Sequence, residues 1–136
     1  MTDHSHTSRF WADWSTRDFA QAQSQGTLAQ TIAVLPVGAT EQHGPHLPLR
    51  VDSALVDGVV AAALPYLAPG VPALFLPTQA VGLSPEHAAF PGTLTLKAET
   101  LIRLWTDIAD SVAATGVKKL VLLNAHSNVD KVFWID

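Results

Sequence analysis

Thr31-Ile-Ala-Val-Leu-Pro-Val37 is an unbroken apolar run of strand length, and it passes directly into Gly38-Ala-Thr-Glu-Gln-His-Gly-Pro-His46. A strand without polar alternation is one buried on both faces, the pattern of a parallel sheet covered by helices. The segment after it is too rich in Gly, Pro and polar groups to be other than a loop. Two further runs repeat the strand pattern: Ala73-Leu-Phe-Leu76, expected to continue to Val81, and Lys118-Lys-Leu-Val-Leu-Leu-Asn124. Two helical segments separate the three. Asp52 or Ser53 is placed to cap the first, which carries Val56, Val59, Val60, Ala63 and Leu64 at helical spacing and stops at Pro65. The second, 97–115, bears Leu101, Leu104, Trp105, Ile108 and Val112 as one apolar stripe, with Gly116 where a C-terminal cap belongs. The order β-α-β-α-β with right-handed crossovers predicts an α/β fold: three layers, α/β/α, on a mainly parallel sheet that ends after its third strand.

The 136 residues suffice for one domain, 1–136. Residues 1–26 are polar, with Phe10, Trp11, Trp14 and Phe19 interspersed; they read as an arm or short amphipathic helix clamped by its aromatic rings onto the body or a neighbour. A composition of 48% hydrophobic and 15% charged residues excludes a disordered tail. Eight basic against 12 acidic residues give a net charge of −4, and no basic cluster forms a nucleic-acid footprint. The longest apolar stretch, 54–77, is interrupted by Asp57, Pro65, Pro69 and Pro72, so no membrane span is expected. A cytoplasmic location is the expectation. With no cysteine, disulfides, thiolate catalysis and Cys-based zinc sites are excluded, and any metal must be held by His and carboxylate.

In such a sheet ligands bind at the carboxyl ends of the strands. The polar residues fall there: Glu41, His43, His46 and Asp52 follow the first strand, Glu86 and His87 the second, and His126 the third. Glu41, His43, Asp52 and His126 supply two imidazoles and two carboxylates, a donor set suited to Zn²⁺ or Mn²⁺. Alternate residues such as Glu41 and His43 point to one side of an extended segment. The bland reading stays beside this one: Asp52 as a helix cap, Glu41 as a surface charge, His126 as a hydrogen-bonded residue at a strand end. His46 is a candidate for orienting a ligand, and His87 with Glu86 for lining the pocket. Gly92 and Thr93 are expected to shape a turn.

Gly38-Ala-Thr-Glu-Gln-His-Gly-Pro-His-Leu-Pro-Leu49 with Val51-Asp52, and Gly82-Leu-Ser-Pro-Glu-His-Ala-Ala-Phe-Pro-Gly-Thr93, resemble the creatininase family over roughly residues 30–126. The resemblance implies a creatininase-like fold and an amidohydrolase that cleaves a non-peptide C–N bond, in a cyclic amide or formamide, with metal-activated water. It implies two divalent ions, Zn²⁺ and/or Mn²⁺. Asp52 would bridge them, Glu41 and His126 would serve one and His43 the other, with His87 as the catalytic candidate. Two ions sharing a water lower its pKa, and one polarises the amide carbonyl. It further implies a small-molecule amide substrate and a homo-oligomer, hexameric in the family.

The third motif departs from the family. The run is Asn124-Ala-His-Ser-Asn-Val129, so Asn128 stands where an acidic ligand is expected, and 129–136 carries no family-like sequence. Family members are longer, with the proton donor and much of the pocket in the later half. These 136 residues therefore read as an N-terminal half, weakly active or inactive alone. An alternative of a different class is a non-catalytic assembly or binding module derived from that fold.

Overall fold

The computed structural model describes residues 8–125 and the backbone of Phe133–Ile135. The aromatic arm opens the chain with a 3-10 turn, Trp11–Asp13, and a helix, α1 (Thr16–Ser24). Ser15 and Asp18 close a capping box at its start, each side chain bonded to the other's backbone N–H. Phe19 lies under both Trp11 and Trp14, with ring centroids 4.5 and 5.2 Å away. The three rings pack on the main core, so the arm clamps the body of its own chain.

The central strand is β1 (Ile32–Val37), with β2 (Ala73–Phe75) and β3 (Lys119–Asn124) parallel on either side. Between β1 and β2 runs α2 (Val51–Ala63), and between β2 and β3 runs α3 (Ala98–Ala114). Side-chain alternation along β1 divides the core between two faces. Ala33, Leu35 and Val37 join Leu120 and Leu122 of β3 against Val112 of α3 and Ala22 of α1. Val34 points the other way, into a smaller cluster with Val60 of α2, Ala73 and Phe75. This is the expected α/β/α sandwich on a mainly parallel sheet.

The edges differ from the expectation. A fourth strand, β4 (Phe133–Ile135), pairs antiparallel with β3, so the sheet order is β2-β1-β3-β4 and the sheet does not end at its third strand. At the other side β2 stops at Phe75 and does not run on to Val81. Pro36 is the reason. The side of β1 that carries Ile32 N–H and Val34 C=O faces β2, and there Pro36 has no N–H to offer a continuing ladder. Pairing resumes only once the partner has slipped forward, where Gln79 donates to Pro36 O and Gly38 donates to Gln79 O, both at 2.9 Å. Beyond β2 the arm covers the edge: Phe10 bridges Phe75, whose N–H donates to Arg9 O at 2.7 Å.

The long stripe of α3 lies as expected, with Leu101 and Val112 buried and Trp105 and Ile108 packed on the core. Gly116 ends it at φ +101°, its N–H bonded to Ala113 O. No helix among the described residues is long and apolar enough to cross a membrane.

Candidate metal centre

The site is built where β1 meets α2. Gly38 follows the strand, and a Cβ there would stand 2.5 Å from Ser53 Oγ and 2.7 Å from Ser53 Cα. Only glycine lets the first turn of α2 come so close to the strand end. The helix begins at Val51 with Arg50 in the cap position and no side-chain cap bond, so the expected cap at Asp52 or Ser53 is not made. Both residues fall inside the first turn, where an N-cap bond is geometrically closed to them. Ser53 Oγ instead donates to Ala39 O at 3.3 Å, and Asp52 turns inward.

Glu41 and Asp52 are 3% and 2% exposed. Two carboxylates removed from water in one spot are costly unless positive charge compensates them. Asp52 is therefore neither a helix cap nor Glu41 a surface charge. His43 links the two. Its Nδ1 lies 3.1 Å from Glu41 O and its Nε2 lies 3.2 Å from Asp52 Oδ1. A backbone carbonyl only accepts, so Nδ1 carries a proton; a neutral ring then turns its Nε2 lone pair on the carboxylate. Two acceptors turned on one another require a cation between them, either a proton or a metal ion. Ligand atoms about 2.0–2.2 Å from one tetrahedral ion stand roughly 3.3–3.6 Å apart, close to the separation His43 and Asp52 keep. Glu41, His43 and Asp52 each present a ligand atom, all within 4.8 Å of one another. The donor set fits a divalent ion.

The second loop folds over this centre. Leu94 donates to Thr40 O at 2.9 Å, Gln42 N–H donates to Thr93 Oγ1 at 3.2 Å, and Thr40 Oγ1 donates to Ala80 O at 2.8 Å. Thr93 thus ties two loops together, more than a turn residue. His87, in the 3-10 turn Pro85–His87, brings Nε2 to 3.7 Å from Glu41 Oε1 and 3.7 Å from Glu86 Oε1. His46 is exposed and makes no hydrogen bond among the described residues. His126 and Asn128 lie outside the described residues. Ala125, the residue before His126, donates to Val37 O at 3.1 Å, at the same end of the sheet.

Sequence reading passed over Gly38 and Gln42. A glycine directly after a doubly buried strand signals close backbone approach, and that clue was available. Gln42 gave none, because an amide between two metal-type ligands invites no metal reading. A cavity of about 360 Å³, lined by Phe10, Pro36, Val60 and Phe75 among others, includes none of the candidate ligands. Chemistry, not volume, locates the site.

The creatininase family model, described as creatinine amidohydrolase, matches residues 12–133. The chain belongs to the creatininase family. The mycofactocin precursor peptide peptidase of Mycobacterium tuberculosis is 38% identical over 99 residues, 68% of this chain and 39% of that protein. The creatinine amidohydrolase of Pseudomonas putida is 35% identical over 100 residues, 70% of this chain and 37% of that protein. A solved structure described as "Creatininase Mn" is similar with a TM-score of 0.72 at 30% identity, covering 88% of this chain and 46% of the other. This creatininase-family chain thus spans about two-fifths of the length of the curated relatives it matches. Those creatininase relatives are named as hydrolases of different bonds, one a peptidase and one an amidohydrolase.

Proposed function

We propose that this chain carries the metal-binding half of an amidohydrolase site that cleaves the C–N bond of a small cyclic amide or formamide. The carrying observation is the buried Glu41–His43–Asp52 cluster, in which His43 Nε2 and Asp52 Oδ1 stand 3.2 Å apart and all three residues present a ligand atom within 4.8 Å of one another. We assign two Zn²⁺ and/or Mn²⁺ ions, which Glu41, His43, Asp52 and His126 would hold. An ion bound there supplies Lewis acidity, which makes water a nucleophile at neutral pH and polarises a carbonyl. The residues of this chain hold that charge in place. Glu41 and Asp52 provide the negative charge, and Glu41 O orients the His43 ring through Nδ1. His87, with Nε2 3.7 Å from Glu41 Oε1, is the candidate proton-bearing group.

The test is metal content followed by activity. Purified protein should take up at least one equivalent of Zn²⁺ or Mn²⁺, and the loaded protein is then offered cyclic amides, formamides and short peptides. No uptake on titration overturns the metal reading. Cleavage of peptides alone overturns the substrate class, which the peptidase named among the relatives makes the sharpest competitor. We further propose that the protein acts as a homo-oligomer. Leu55 and Val59, one turn apart on α2, are 55% and 52% exposed, an apolar strip suited to burial between subunits. Light scattering that finds a monomer at all concentrations overturns this part.

A further inference from the structure

His87 has two incompatible uses. Glu41, Glu86 and His87 each present a ligand atom within 4.8 Å of the others, so they could hold an ion of their own. For that, His87 Nε2 must carry a lone pair and Nδ1 the proton. As a hydrogen-bond donor beside the site, the ring needs the reverse.

The neighbours of the ring decide between them. Gly44 N–H lies 2.9 Å from Gln42 Oε1. A backbone N–H can only donate, so the amide oxygen of Gln42 faces Gly44 and its nitrogen faces away. The amide nitrogen of Gln42, with no lone pair to accept a bond, then lies 2.7 Å from His87 Nδ1. Nδ1 must accept, which leaves the ring proton on Nε2. Nε2 lies 3.7 Å from Glu41 Oε1 and 3.7 Å from Glu86 Oε1.

We propose that Gln42 is a positioning residue that fixes His87 as the Nε2–H tautomer, making His87 a proton-bearing partner of the Glu41 side of the centre and not a metal ligand. The tautomer stands on the hydrogen bonds alone. Its use beside a metal ion rests on the function proposed above. The arrangement sets an N–H 3.7 Å from the Glu41 carboxylate, beyond direct hydrogen-bond distance and close enough for electrostatic attraction to a ligating group.

The experiment is two-bond ¹H–¹⁵N correlation of the imidazole rings in the full ¹⁵N-labelled chain, with the His87 signals assigned by their absence in His87→Gln. In the metal-free protein His87 Nε2 should show the protonated, pyrrole-type signal and Nδ1 the unprotonated one. Gln42→Glu should exchange the two, because a carboxylate accepts from Nδ1–H; Gln42→Ala should give a mixture of tautomers. On addition of Zn²⁺, the His43 Nε2 signal should move while His87 keeps its Nε2 proton. An Nδ1–H tautomer in the wild-type chain, or loss of the Nε2 proton on adding Zn²⁺, overturns the proposal. A chain that binds no Zn²⁺ still reports the tautomer, so failure of the metal reading and failure of this one are separable.

Discussion

Gly38 and Ser53 touch backbone to backbone: a single carbon added to Gly38 would lie 2.7 Å from Ser53 Cα and 2.8 Å from Ser53 N. That contact sets the height of α2 on the end of β1, and with it the place of Asp52 opposite His43.

Gly38→Ala should therefore cost about 1–3 kcal/mol of folding stability by overpacking, read as a lower urea midpoint with an unchanged slope. It should also weaken Zn²⁺ binding, because the first turn of α2 must rise away from the loop. A stable variant with full Zn²⁺ affinity would show that Gly38 does not place the site.

Gly58→Ala is the contrasting case. Gly58 is an exposed position of α2 where an added Cβ meets nothing within 4 Å. Helix propensity alone then acts, and the variant should gain about 0.5–1 kcal/mol in the same denaturation experiment.

Asp52→Asn keeps the shape of the side chain and removes its charge. Zn²⁺ affinity should fall more than about tenfold by calorimetric titration, with the far-ultraviolet circular dichroism unchanged. Affinity within twofold of the wild type would remove Asp52 from the ligand set.

Chelation should lower the melting temperature, and Zn²⁺ or Mn²⁺ should restore it. An ion that binds only the folded chain adds about 2.7 kcal/mol when free metal is a hundredfold above Kd. The effect should disappear in Asp52→Asn. A melting temperature insensitive to chelator and metal alike would count against a metal centre.

Ser15→Ala opens the capping box at the start of α1 and should cost about 0.5–2 kcal/mol. Because Trp11, Trp14 and Phe19 pack on the main core, tryptophan fluorescence should shift toward that of exposed indole at lower denaturant than in the wild type.

The sequence by itself determined the elements and their order. The runs around Val34 and Leu122, and the Leu101-to-Val112 stripe, could be read directly because periodicity is a property of neighbouring residues. It also determined the types of residue available to a metal centre, since the chain offers histidine and carboxylate and no cysteine. Tertiary structure decided what depended on atoms brought together from distant positions. Pro36 cuts β2 short only because its missing N–H faces that strand. Asp52 is a buried acceptor and not a cap only because Gly38 seats α2 so low. The tautomer of His87 is set by Gln42, 45 residues earlier, whose own orientation Gly44 fixes. Hydrogen bonding and charge act over a few ångströms, and folding alone decides which residues lie that close.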